Sequence, residues 1–346
     1  MAEELEFLMS DGLLIRGTIE GNRTSNHLVV MLHSGGYDRH ERGVKEVSKD
    51  EISGMKKMEY YNAYGNYDYL SNLLKQDACI LRIDQRNHGQ SGKNIDVSKM
   101  KIALEKLKTE DQVSNQIIRN LMHNNKNKLR ELEQNFQNEK VSDLIHHPIL
   151  KDMSFQKMKE DLEEVMEQFT KANPSFSSID FVGTCMGTVV ASLYLFDHPT
   201  MANSLTLFSP LYTFDYSILN SPENAGLMRT KWEAVKKGNQ FRLGNAIEGP
   251  NTHREVASFA ATFFDHLKEL NISIFCIQGT DDALVPVSIQ REIFRNLKEY
   301  REKHHLKPVN YAEIPAVHCL YDSIFPALLE TSEFIYSQQE TLEKKK

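Results

Sequence analysis

Six short stretches of the chain are apolar almost without interruption: His27–Leu32, Ala78–Asp84, Ser178–Val182, Ser204–Phe208, Ile272–Gln278 and Val309–Ile314. Few of them alternate cleanly, the pattern of strands buried on both faces. The opening segment "LEFLMSDGLLIRGTIEG" is different, with two β-rich runs meeting at Asp11-Gly12, which predicts a hairpin. Helical patterns separate the runs. In the clearest, Phe155, Met158, Leu162, Val165, Met166 and Phe169 fall at helical spacing, an apolar stripe with charges opposite. Strands alternating with helices predict an α/β fold with a mostly parallel central sheet covered by helices.

Two segments are too long for simple crossovers. Residues 93–150 are polar, rich in Lys, Glu and Asn and helical in pattern. Residues 212–265 contain the only tryptophan, Trp232, with Phe259, Phe263 and Phe264. Long insertions in compact domains often cover a binding site. The expected organisation is a core built from 1–92, 151–211 and 266–346, a helical insertion over 93–150 and a cap or lid over 212–265. The first insertion could equally be an oligomer contact, and decorative surface helices remain the plain alternative for both.

Composition narrows the possibilities. The 346 residues are 40% hydrophobic and 26% charged, ordinary for a globular protein, with a formal net charge of −7. That balance, without a basic stripe interleaved with aromatics, argues against nucleic acid as a partner. No run approaches the roughly 20 apolar residues of a membrane helix, and the start lacks the apolar stretch of a secretory signal. The four cysteines, Cys79, Cys185, Cys276 and Cys319, form no C-x-x-C pair, so neither a metal nor another cofactor is expected and a reducing, cytoplasmic setting is. Cys79 and Cys276 sit in apolar runs as small core residues.

Cys185 is different. It lies in "DFVGTCMGTVVAS", where a strand passes through Gly183-Thr184-Cys185-Met186-Gly187 straight into a helix. A Gly-x-nucleophile-x-Gly turn is sharp, and its glycines keep Cβ atoms out of the crowded junction. The side chain is raised above the sheet at a helix N-terminus, where unpaired N–H groups favour a thiolate. A nucleophile needs a base, and the base an orienting acid. "QGTDDALVP" offers Asp281 and Asp282, of which the spacing to Val285-Pro286 favours Asp282, and "EIPAVHCL" places His318 after the last strand. Asp215 is a more distant candidate acid. The chain order is thus Cys185, Asp282, His318. For an oxyanion hole, "HLVVML" runs into His33-Ser34-Gly35-Gly36; Gly35, then Ser34, is the expected loop donor, and the Met186 N–H the second. Cys319 beside His318 reads as packed, a redox partnership with Cys185 being the alternative; His33, Asp84, Arg86 and His88 read as loop braces.

Taken together, "HSGG", "DQRNHGQSG", "GTCMG", "GTDDALVP" and "AVH" resemble, in order, the oxyanion loop, the D-x-R-G-x-G-x-S segment, the nucleophile elbow, the acid loop and the histidine loop of the α/β-hydrolase superfamily. The resemblance runs from about Leu5 to Tyr336, with Ser34 and Asn87 where glycines are usual. Cysteine in place of serine at the elbow is shared with dienelactone hydrolases and polyhydroxyalkanoate synthases, neither of which the chain otherwise matches. The resemblance implies an α/β-hydrolase fold and a hydrolase of esters or thioesters acting through an acyl-cysteine on a small-molecule acyl substrate. A thioester intermediate is open to acceptors other than water, so an acyltransferase or thioesterase-cyclase working on a carrier-bound acyl chain is the second expectation. A ligand-binding homologue without catalysis is the third.

Overall fold

The structure is a computed structural model. It describes residues 2–34, 38–40, 44–49, 56–60, 65–86, 88, 91, 154–173, 175–211, 241–243, 246–248, 265–282, 285, 287–316, 318–320 and 324–343. The expected insertion 93–150 and all but fragments of the expected cap 212–265, with Trp232, Asp215 and the cap phenylalanines, lie outside the described residues.

Eight strands form one sheet: β1 (Glu3–Leu8), β2 (Leu14–Gly21), β3 (His27–Leu32), β6 (Cys79–Ile83), β7 (Ser178–Thr184), β8 (Ser204–Phe208), β11 (Ser273–Gly279) and β12 (Val309–Ile314). Their spatial order is β1-β2-β6-β3-β7-β8-β11-β12. The β1–β2 and β2–β6 pairs are antiparallel, and every pair from β6 to β12 is parallel. The predicted hairpin turns through Gly12 at φ +84°, a left-handed conformation that glycine adopts without strain. Two antiparallel ribbons stand apart from the sheet: β4 (Val44–Lys49) with β5 (Lys56–Tyr60), and β9 (Phe241–Leu243) with β10 (Ala246–Glu248). The second is a fragment of strand inside the segment read as a cap.

Helices cover both faces, and the strands divide their side chains between them. Leu28, Val30 and Leu32 of β3 join the core shared with α2 (Phe155–Ala172), α3 (Met186–Asp197) and α4 (Val287–Lys303). Val29 and Met31 join the opposite core, shared with α1 (Asn66–Leu74) and α5 (Ile324–Glu343). Both sets are fully buried, which is why β3 reads as an unbroken apolar run. In α2 the six apolar residues of the stripe are all buried, and Ser154 caps the helix by accepting the Lys157 N–H at 3.0 Å. Among the described residues no helix is long and apolar enough to cross a membrane.

The sheet also decides where chemistry can sit. β6, the next strand of this sheet in sequence, lies on one side of β3 and β7 on the other, so the connections diverge and open a crevice at the carboxyl ends of the parallel strands. The loops leaving β3, β7, β8, β11 and β12 all emerge there.

The braces expected in the β3 and β6 loops are in place. His33, fully buried, bonds the Ser34 carbonyl through Nδ1 at 2.7 Å, while its Nε2 accepts the Gln85 N–H at 2.9 Å. This pair fixes the neutral tautomer with the proton on Nδ1. Asp84 accepts the Arg39 N–H at 2.7 Å, Arg86 makes a two-pronged ion pair with Asp161 at 2.6 and 2.7 Å, and His88 Nδ1 bonds the Arg86 carbonyl at 2.7 Å. Burial pushes the His33 imidazole down to about 4, beyond what the Ser34 carbonyl restores. Protonating Nε2 also expels the Gln85 N–H. Because the folded pKa lies below the unfolded one, the unfolded chain binds the proton more readily and stability falls as pH drops from about 6.5 to about 4, by about 3 kcal/mol from this group. Nuclear magnetic resonance of labelled histidines is expected to show His33 neutral at pH 5; an imidazole half-protonated near pH 6.5 contradicts this brace.

Candidate active site

Strand β7 runs into helix α3 with one residue between them. Cys185 is that residue, at φ 48° and ψ −106°, a left-handed and strained conformation for a non-glycine side chain. Its N–H donates to the Phe208 carbonyl at 2.9 Å, and its carbonyl accepts from the Thr188 N–H and the Thr188 hydroxyl. The glycines on either side explain how the turn fits. A Cβ on Gly187 would lie 2.0 Å from the Leu32 carbonyl oxygen and one on Gly183 would lie 2.7 Å from the Gly187 backbone. Tyr67 ties the junction to β3 from below, donating to the Leu32 carbonyl at 2.7 Å and bonding the Thr184 hydroxyl at 2.8 Å.

Asp282 follows β11 and is 6% exposed, whereas Asp281 beside it is exposed. The Asp282 carboxylate accepts the Val285 N–H on Oδ1 at 2.9 Å and, on Oδ2, the Gln278 side-chain amide at 2.7 Å and His318 Nδ1 at 2.8 Å. His318 begins the one-turn 3-10 segment His318–Leu320 after β12. With Nδ1 committed to Asp282, its buried Nε2 is left to face the sulfur. A His318 ring nitrogen, the Cys185 Sγ and the Cys319 Sγ all lie within 4.8 Å of one another. Burial by itself lowers an imidazole's affinity for a proton. Here the charges of Cys185 and Asp282, and hydrogen bonds to both, outweigh it and push His318 up to about 10. Both neighbours of the ring therefore favour its protonated form.

Of the expected oxyanion donors, Met186 opens α3, where a backbone N–H has no intrahelical acceptor. Ser34 is buried at the end of β3, the strand beside β7. Gly35 lies outside the described residues.

Two features escape a reading of the sequence. Gln278 is fully buried and donates its side-chain amide to the Asp282 carboxylate; its only signal is a polar residue closing the apolar run "SIFCIQG" four positions before Asp282. Cys319 belongs to the cluster itself and is not merely packed nearby. Its backbone is left-handed at φ 62°, followed by Leu320 at φ 61°, and its N–H is held by the Ser209 hydroxyl at 3.0 Å, with Ser209 at φ 44°. Four of the five positive-φ non-glycine residues described thus gather around this one crevice. The four cysteines form no disulfide.

No protein-family model matches the chain, and no curated protein matches it in sequence. Solved structures do match in shape. The monoacylglycerol lipase of Paleococcus ferrophilus superposes with a TM-score of 0.56 at 12% identity, over 94% of this chain and 99% of the lipase. An esterase of Pyrococcus furiosus gives 0.55 at 16% identity, over 98% and 91% of the two chains. The thioesterase domain from the curacin biosynthetic pathway gives 0.54 at 10% identity, over 97% and 99%. Such likeness at such identities is one of fold, extending over nearly the whole chain: this protein has the α/β-hydrolase fold.

Proposed function

We propose that the protein cleaves esters or thioesters through an acyl-cysteine intermediate, with Cys185 as nucleophile, His318 as general base and acid, and Asp282 as the residue that orients the imidazole. The observation that carries this reading is the line of contacts from the Asp282 carboxylate through His318 to the Cys185 sulfur, on a strained elbow at the carboxyl edge of the sheet. Packing alone gives no reason to strain a cysteine backbone against a helix N-terminus and face it with a histidine anchored from behind. The lipase, esterase and thioesterase of like fold act on the bond class proposed here.

The proposed steps are these. The Cys185 thiolate attacks the substrate carbonyl carbon, and the carbonyl electron pair moves onto oxygen. The N–H of Met186, with the Ser34-Gly35 loop contributing the second donor, stabilises that oxyanion; each such donor is worth about 3 kcal/mol in comparable sites. On collapse the leaving alkoxide or thiolate takes the proton from His318 Nε2, and the acyl group stays on sulfur. Neutral His318 then draws a proton from water or another acceptor as it attacks the thioester, and a second collapse releases the product and restores the thiolate. Asp282 keeps the ring in the tautomer that both transfers need.

A panel of nitrophenyl esters and acyl thioesters, with and without alcohol and amine acceptors, tests the reading. Turnover of either class supports it, and diversion of the acyl group to an acceptor assigns transfer as the preferred second step. No turnover and no acylation with any donor assigns the fold to ligand binding without catalysis. A small-molecule acyl compound is the substrate of this first reading. A carrier-bound acyl chain is the substrate of the transferase alternative.

A further inference from the structure

We propose that Cys185, His318 and Cys319 also form a binding site for a thiophilic divalent cation, zinc above all. Its occupation is mutually exclusive with acylation of Cys185. Only this inhibitory consequence rests on the function proposed above; the binding does not.

Two sulfurs and an imidazole nitrogen within 4.8 Å of one another are a three-residue donor set of the kind that holds zinc with a fourth position open. With metal–sulfur and metal–nitrogen distances of about 2.3 and 2.0 Å, the donors of a tetrahedral ion are separated by roughly 3.5–3.8 Å. The three side chains need to draw together by only about 1 Å to meet that geometry. Thiolate and imidazole also select zinc and its soft relatives over magnesium, calcium or manganese, which favour oxygen.

The surroundings fit a ligand histidine. Its Nδ1 is bonded to the Asp282 carboxylate, leaving Nε2 for the ion, and a carboxylate behind the imidazole is the usual support of a zinc-bound histidine. That carboxylate is itself fixed by Gln278 and the Val285 N–H. Cys319 supplies what a hydrolase triad lacks. Acyl transfer gives it no step, yet two successive left-handed residues and the Ser209 hydroxyl hold it in a strained conformation. A second sulfur beside the first is what that conformation delivers.

Cobalt is the probe, used on the full chain, reduced and stripped of metal with a chelator. One equivalent of cobalt(II) is expected to give sulfur-to-cobalt charge-transfer absorption and the intense visible bands of a tetrahedral ion, both erased by one equivalent of zinc. Cys319→Ser and Cys319→Ala, each checked for folding by circular dichroism, weaken binding by about 100-fold and remove part of the charge-transfer intensity. Asp282→Asn weakens it by about 10-fold through the histidine. Cys79→Ala, remote in the core, changes nothing. Weak six-coordinate cobalt spectra in the parent chain, or full charge-transfer intensity in both Cys319 variants, overturn the proposal. Because the spectra are read without substrate, a chain that cleaves no ester can still pass, and a chain that fails can still be an esterase.

Discussion

Cys185→Ala is expected to lower ester or thioester cleavage by about 10⁴-fold or more, the scale seen when a triad nucleophile is deleted. The fold should survive. The lost sulfhydryl is small and borders the crevice, so the stability change is about 1 kcal/mol or less, and the variant's circular dichroism should overlay the parent's. Cys185→Ser tests the sulfur itself: it keeps the elbow and the fold but loses most of the activity, because a hydroxyl at the same place does not ionise beside His318 as a thiol does. A serine variant as fast as the parent contradicts the thiolate mechanism, and an alanine variant that still turns over contradicts the nucleophile.

The second large effect is on the fold. Gly187→Ala places a Cβ 2.0 Å from the Leu32 carbonyl oxygen, 2.6 Å from its carbon and 2.8 Å from the His33 carbonyl oxygen. All three are backbone atoms of the β3 strand and its loop, and no rotamer change can move them aside. Helix α3 must back away from the sheet, breaking the packing of Val189 and Val190 against it and shifting Cys185 with it. The expected cost is about 4 kcal/mol, above the usual overpacking range because the clash is with backbone, and a fall in melting temperature of about 5 °C. Activity disappears with the geometry. A variant that melts within about 2 °C of the parent means that the junction is looser than its close contacts imply.

These two residues also show what the sequence made legible. The elbow was readable because its constraint is local: a strand that turns into a helix within one residue needs glycines at both flanks, and the pattern states them. The same holds for β3 and for α2, whose apolar periods match the observed burial residue by residue. The preference for Asp282 over Asp281 rests on spacing to Val285-Pro286, and in the structure Asp282 is the buried one of the two and accepts the Val285 N–H. The Asp282–His318 contact was legible only as an order of motifs, since 36 residues separate its partners.

What was hidden depends on direction and not on period. Nothing in "AVHCLY" says that Cys319 takes a left-handed backbone and sends its sulfur toward Cys185. Gln278 looks like the polar end of a strand until its amide is seen on the Asp282 carboxylate. The β4–β5 and β9–β10 ribbons lack the apolar runs by which the core strands announced themselves, and their sequences, such as "VKEVSK" and "FRL", carry too little burial pattern to mark them.

The central claim is that an acyl group passes through the Cys185 sulfur. Rapid acid quenching of the protein during turnover of an activated ester, followed by mass analysis of its peptides, measures this directly. The mechanism predicts one acyl increment on the peptide carrying Cys185, released by neutral hydroxylamine as a thioester is and absent from Cys185→Ala. An acyl increment on a different residue, or continued turnover by the alanine variant with Cys185 gone, contradicts it.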